Sequence, residues 1–301
     1  MKILAVPLLI MSALIFSCRG NASEDTASFP YPDVPGNLVT PQDRASYLIR
    51  HFWDNVDFAD SIDDARMAML EQGFADFISV FGPAESDARR EAMQTLVRSS
   101  RSSHASADVM DGLAESYLYS PESPVYDEEY FILYLDALLQ PGVLDDVESV
   151  RPRFLLDEAS RNRVGAEAAD FVLVTPSGER SLGEICSRTP YTLLVFVDPE
   201  CETCAETVAE IDTDPVISSL VADGTLGIVG VYGGDDDALW ESSGGHYPGN
   251  WTVGKTIRRD VTDGLYAVAT YPTLYLLDSK GIVVQKNTNL RRVLEIGAFS
   301  R

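Results

Sequence analysis

The chain has 301 residues, enough for two domains, each with its own core. Hydrophobic residues at 45% and charged residues at 23% exclude a disordered or collagen-like polymer and describe folded globular material. With 47 Asp and Glu against 23 Lys and Arg, the formal charge of −24 argues against nucleic acid, whose phosphates need clustered basic side chains.

In chain order, Lys2 precedes an apolar run, Ile3 to Phe16, that is too short to span a bilayer comfortably. It ends at Ser17-Cys18 and gives way to the polar Arg19-Gly20-Asn21-Ala22-Ser23. This segment resembles a bacterial lipoprotein signal, although Phe16 is bulkier than the small residue usual there. The resemblance implies removal of residues 1–17 and a lipid on Cys18. A simple secretory peptide and an uncleaved anchor are the alternatives, and all three export the chain. Arg19 after the lipid cysteine, with no Asp there, resembles signals sorted to the outer membrane, and Glu24-Asp25 fits surface display. Residues 18–40, rich in Ser, Asp, Pro, Gly and Asn, are expected to form a flexible tether. The mature domains then hold Cys186, Cys201 and Cys204, three cysteines that cannot all pair within one chain, so disulfides do not staple the scaffold.

Residues 41–142 carry helical periodicity, which predicts an all-α bundle of about five helices. Leu48, Ile49, Phe52, Trp53 and Val56 share the first apolar face. Leu70, Phe74, Phe77, Ile78 and Phe81 mark a second helix, capped by Ser61 and broken by Gly82-Pro83. Ala88, Ala92, Leu96 and Val97 mark a third; Val109, Leu113, Tyr117 and Leu118 a fourth. Pro121 and Pro124 turn the chain into a fifth, with Phe131, Tyr134, Leu135 and Leu138, which Pro141-Gly142 stops. Residues 143–163 form a linker or one more helix.

From 164 to 301 the pattern alternates between strand and helix, predicting an α/β domain with a central mixed sheet and flanking helices. Phe171–Val174 is a strand before a Pro176-Ser-Gly178 turn, and Leu193–Val197 is an apolar run suited to a strand buried on both faces. Cys201–Ile211 is a helix, Leu226–Val231 a buried strand and Asp235–Ser242 a short capped helix. Leu274–Leu277 and Ile282–Gln285 pair around an Asp278-Ser-Lys-Gly281 turn, and residues 290–297 form a last helix.

The chemistry lies in Cys201-Glu202-Thr203-Cys204, which follows a buried strand and opens a helix. Two intervening residues at a helix start bring both sulfurs within bonding reach. The unpaired N–H groups and dipole there favour a thiolate on the first cysteine, the species that attacks disulfides. Together with Val164-Gly165, Ala169-Asp170-Phe171, Asp198-Pro199-Glu200, Tyr271-Pro272-Thr273 running to Asp278, and Gly281, the pair resembles the thioredoxin superfamily. It is most similar to the TlpA/ResA-like thiol-disulfide oxidoreductases of the bacterial envelope. The resemblance implies a thioredoxin-like fold, Cys201 as attacking thiolate, Cys204 as resolving thiol, and Pro272 in a cis peptide with Tyr271 beside it in the substrate groove. The whole architecture also resembles envelope lipoproteins in which an uncharacterised helical domain precedes such a domain. Glu200 replaces the familiar Trp, Glu202-Thr203 the Gly-Pro, and Val195 the buried Asp of thioredoxin. Like-charge repulsion from Glu200 and Glu202 is expected to raise the Cys201 pKa against the helix terminus.

Other readings weigh less. A zinc site needs about four ligands, and neither a second Cys-x-x-Cys nor a His pair is present, so no metal and no dissociable cofactor is expected. A permanent structural disulfide would use the same two cysteines. Cys186 is expected to be buried filler. His51, His104 and His246 read as ordinary histidines, and Asp235-Asp-Asp237 as a helix start. The sequence therefore predicts a lipid-anchored envelope thiol-disulfide oxidoreductase with protein disulfide or dithiol clients and an upstream redox partner. The rival is a non-enzymatic lipoprotein that uses the fold as a binding module; a peroxide reductase lacks its Thr-x-x-Cys placement.

Overall fold

The computed structural model describes residues 28–234, 236–243, 247–256, 261–297 and 299. The leader, Cys18, Asp235 and His246 lie outside them. Among the described residues, no helix is long and apolar enough to cross a membrane.

Thr40 caps α1 (Pro41–His51), its hydroxyl accepting from the Asp43 N–H with Pro41 in the first turn. The helix stops short of the expected Val56. Asp54 and Asn55 compete for turn bonds, the Asp54 carboxylate meeting the His51 ring at 2.7 Å and Asn55 Nδ2 donating to Pro30 O at 3.3 Å. Phe52 and Trp53 are buried in the turn that follows. Asp63, not Ser61, caps α2 (Asp64–Ser79): a carboxylate can both accept from the Arg66 N–H and oppose the helix dipole. Next come α3 (Ser86–Ser100) and α4 (His104–Ala114), which continues into a π-helical turn at Glu115–Tyr119. Asp127 caps α5 (Glu128–Leu138).

One expectation for the flanks of this bundle needs correction. Part of the supposed tether is packed: Phe29 is buried, its ring 4.9 Å from that of Phe52 and 5.3 Å from that of Trp53. Gly73 makes room for it, since a Cβ there would stand 2.2 Å from the Phe29 ring. The Tyr31 hydroxyl adds a bond to Asp76. Of the two readings of residues 143–163, the helix is present as α6 (Val150–Ser160), whose Leu155 and Ala159 join the core of the bundle, while Arg151 forks onto Glu115 at 2.8 and 2.9 Å.

The C-terminal half is a seven-stranded mixed sheet. Its strands are β1 (Val172–Thr175), β2 (Gly178–Ser181), β3 (Tyr191–Val197), β4 (Leu226–Tyr232), β5 (Thr252–Thr256), β6 (Thr273–Asp278) and β7 (Val283–Thr288), in the order β2-β1-β5-β4-β3-β6-β7. Strands β3, β4 and β5 run parallel, whereas β6 is antiparallel to β3. Apolar side chains cover both faces of the sheet, which is why β3 reads as an unbroken hydrophobic run. The flanking helices are α7 (Leu182–Cys186), α8 (Glu202–Thr213), α9 (Pro215–Ala222), α10 (Asp237–Ser243) and α11 (Leu290–Leu294). Strands β2 and β5 and helices α7 and α9 were not legible in the sequence. Gly254 and Lys255 interrupt the alternation of β5, and Gly254 is needed because a Cβ there would lie 2.9 Å from Val174 O. The β6–β7 turn follows the expected hairpin, with Asp278 Oδ1 accepting from Lys280 and Ile282 and Gly281 at φ 77°.

The helical half covers the edge formed by β7. Lys286, 2% exposed, meets the 7% exposed Glu128 at 2.8 Å and also donates to Ala159 O at 2.9 Å. Asn287 Nδ2 donates to the other Glu128 oxygen at 2.7 Å, and the Tyr126 hydroxyl donates to Lys286 O at 3.2 Å. These bonds satisfy a desolvated pair and cover a strand edge that would otherwise invite foreign strands.

Candidate redox site

Strand β3 ends at Val197, and its register sets Phe196 opposite Thr273, the first residue of β6. The loop after β3 and the loop before β6 therefore emerge side by side. The first carries Cys201, the second Tyr271 and Pro272, joined by a cis peptide bond. Asp198 shapes the first loop: its carboxylate accepts from the Glu200 N–H at 2.9 Å and its carbonyl from the Cys201 N–H at 3.1 Å.

Cys201 is the N-cap of α8, its Sγ accepting from the Cys204 N–H at 3.2 Å. A sulfur takes the place that a Ser or Asp oxygen usually fills. The Thr203 hydroxyl lies 3.0 Å from the same Sγ, and Tyr271 O lies 3.5 Å away. Both Cys201 and Cys204 are free thiols; Cys201 is partly exposed, Cys204 buried. Desolvation pushes the Cys201 thiol up, but bonds from the Cys204 and Thr203 side chains and the Cys204 N–H outweigh it, leaving the pKa below its ordinary value. Burial pushes Cys204 up to about 12. One sulfur is thus prepared to ionise first.

The main influence against the thiolate is desolvation, with a smaller one from a carboxylate. Glu200 and Glu202 are exposed, and that carboxylate is Asp198, three residues upstream. Val195, fully buried in β3, leaves the sheet beneath the pair apolar. Cys186 sits on the opposite face of the sheet, where burial pushes its thiol up to about 11. His51 pairs with Asp54 on the surface, far in sequence and in core from the cysteines. Among the described residues, no group of His, Cys, Asp and Glu is arranged to hold a metal ion.

Two openings flank the pair, and one of them is lined by the sulfurs' own residues. A cleft of about 420 Å³, lined by Asp198, Pro199, Tyr247 and Pro248 among others, reaches both Cys201 and Cys204. A second, of about 650 Å³, runs past Thr203, Tyr271 and Pro272. The roles of Thr203 and Asp198 were missed from sequence, though both stand within three residues of Cys201. Tyr119, Pro121 and Glu122 of the helical half also line the second opening, and nothing local could have revealed them.

Residues 17–162 match the family model described as a domain of unknown function, DUF5106. No curated protein matches the chain. Among solved structures, a thioredoxin-like protein from Bacteroides caccae is 29% identical, covering 91% of this chain and 99% of its own, with a TM-score of 0.77. The C-terminal domain of an uncharacterized protein from Bacteroides fragilis is also 29% identical, over 46% of this chain and 98% of its own, with a TM-score of 0.43. The thioredoxin domain of a thiol-disulfide oxidoreductase from Bacteroides vulgatus is 20% identical, over 44% and 96%, with a TM-score of 0.38. The likeness to the Bacteroides caccae protein extends through both halves.

Proposed function

We propose that this chain, in which a DUF5106 domain precedes a thioredoxin-like domain, exchanges disulfides with protein clients through Cys201 and Cys204. The observation that carries the reading is the asymmetry of the pair. A partly exposed sulfur accepts a backbone N–H at 3.2 Å at a helix start, beside a buried thiol held near pKa 12.

The Cys201 thiolate attacks one sulfur of a client disulfide, forming a mixed disulfide and expelling the other client sulfur as a thiolate, which takes a proton from water. Cys204 then gives up its proton and attacks Cys201 Sγ. The Cys201–Cys204 bond forms, the second client thiolate leaves, and the client has gained the two electrons that the pair has lost. Run in reverse, the same steps oxidise a client dithiol. Either direction needs a second dithiol or disulfide protein to reset the pair.

The leader and Cys18 support a place in the cell envelope, with a lipid on Cys18 holding the chain to a membrane, the outer one for preference. A Cys18→Ala form is expected in the soluble fraction, and its retention in membranes would count against the anchor.

The deciding experiment is a trap. Cys204→Ser should accumulate mixed disulfides with clients through Cys201, released by dithiothreitol, whereas Cys201→Ser should accumulate none. A wild-type pair that fails to cycle between dithiol and disulfide in glutathione buffers would refute the exchange and favour a fold used only for binding.

A further inference from the structure

The opening beside Pro272 is not built by the thioredoxin-like half alone. One wall is Tyr119, Pro121 and Glu122, from the π-helical turn and the loop after it. The thioredoxin-like half contributes Glu206 and Glu210 to the same lining, four residues apart and so on one face of α8. The floor passes Thr203 and the Tyr271–Pro272 peptide, close to Cys201 Sγ.

The helical wall is held in place by bonds that leave little freedom. The Lys286–Glu128 pair is buried, with exposures of 2% and 7%, and Tyr126 and Asn287 bond across the same junction at 3.2 and 2.7 Å. Arg292 adds a bond to Ser123 O, one residue from Glu122, and its guanidinium lies 4.6 Å from the centre of the Tyr126 ring.

Glu122, Glu206 and Glu210 are exposed, and none is paired with a described residue. Among the described residues, no Lys or Arg lines the opening. A segment entering it meets carboxylates from both halves and a reactive sulfur at one side. Unpaired charges of one sign in a groove raise the local concentration of oppositely charged ligands and disfavour like-charged ones.

We propose that the DUF5106 half is a client selector: with α8 it makes the groove a binding site for an extended, cationic segment of a client protein, carrying Lys or Arg within a few residues of the reacting cysteine. This rests on the reading that the pair exchanges disulfides. Glu122 meets the client from the helical side, Glu206 and Glu210 from the other, and both contacts hold the client sulfur near Cys201. The bonds made and broken are those already described, so the selector changes which disulfide is attacked and not the chemistry.

The test uses the full chain and three peptides of equal length, each a disulfide-linked dimer whose cysteine is flanked by Arg, Ser or Glu. Rates of exchange are divided by those of the same peptides with free glutathione, because flanking charge alters the leaving thiol as well. The Arg peptide should then be preferred over the Glu peptide by about tenfold, the combined effect of three modest exposed pairs. The preference should shrink at high salt, and Glu122→Gln and Glu206→Gln should each reduce it about two- to threefold. Using both variants guards against misfolding of one. Equal normalised rates for all three peptides, or a preference that ignores Glu122→Gln in a folded variant, would overturn the selector while leaving exchange intact. Absence of exchange with every peptide would overturn the redox reading and the selector with it.

Discussion

Thr203→Val isolates one cause of the asymmetry between the two sulfurs. The hydroxyl lies 3.0 Å from Cys201 Sγ and 3.4 Å from Tyr271 O. As a thiol, Cys201 can donate to Tyr271 O; once ionised, it can only accept, and the Thr203 O–H joins the Cys204 N–H in donating to it. A hydrogen bond to a charged group is worth about 1.5–3 kcal/mol where water is excluded. Cys201 is partly exposed, so water replaces much of it and roughly 0.7–1.4 kcal/mol remains. At 1.36 kcal/mol per pKa unit, Val should raise the Cys201 pKa by about 0.5–1 unit and lower the thiolate population below it about three- to tenfold. Val keeps the shape of Thr, so packing should be spared. The assay is iodoacetamide alkylation against pH, read by mass spectrometry at Cys201. The wild-type midpoint should fall below the ordinary value of 9.0, because reactivity rises with pH as the stabilised thiolate forms. Cys186, raised to about 11, and Cys204, raised to about 12, stay protonated over that range. An unchanged midpoint in Thr203→Val would mean that the hydroxyl serves Tyr271 O alone, and the argument would fail.

Two further expectations concern how the halves are built. Lys286→Met strands Glu128 without its buried partner and should cost about 3–5 kcal/mol in urea unfolding, while adding Glu128→Gln should recover part of the loss. A loss below about 1 kcal/mol would refute the buried junction. Phe29→Ala removes a ring packed over Gly73 and between Phe52 and Trp53, for an expected loss of about 3–5 kcal/mol. An effect within about 0.5 kcal/mol would return this stretch to the role of a tether.

Much of the architecture is legible because its determinants are neighbours along the chain. The aliphatic run of β3 needs only its own residues to be recognised as a strand buried on both sides, and the spacing of Phe74, Phe77, Ile78 and Phe81 points to a helix and its end. The cysteine spacing at a strand-to-helix junction likewise contains its own chemistry. Caps are less legible, since Ser61 and Asp63 are both acceptable cap residues and only the geometry selects one. The weak alternation of β5 becomes a strand because β1 and β4 flank it. Glu200 and Glu202 adjoin Cys201 in sequence, yet Asp198 bears on the sulfur, because a turn brings it back.

A helical half, an alternating strand-and-helix half, and a dithiol at a helix start are all written locally in the chain, for they follow from periodicity and spacing within a few residues. It took folding to bring Lys286 against Glu128, to set Phe29 in the notch at Gly73, and to gather Glu122 and Glu206 around one opening beside the redox pair. Such contacts join residues scores of positions apart, and they exist because packed surfaces exclude water, a condition that no local pattern encodes.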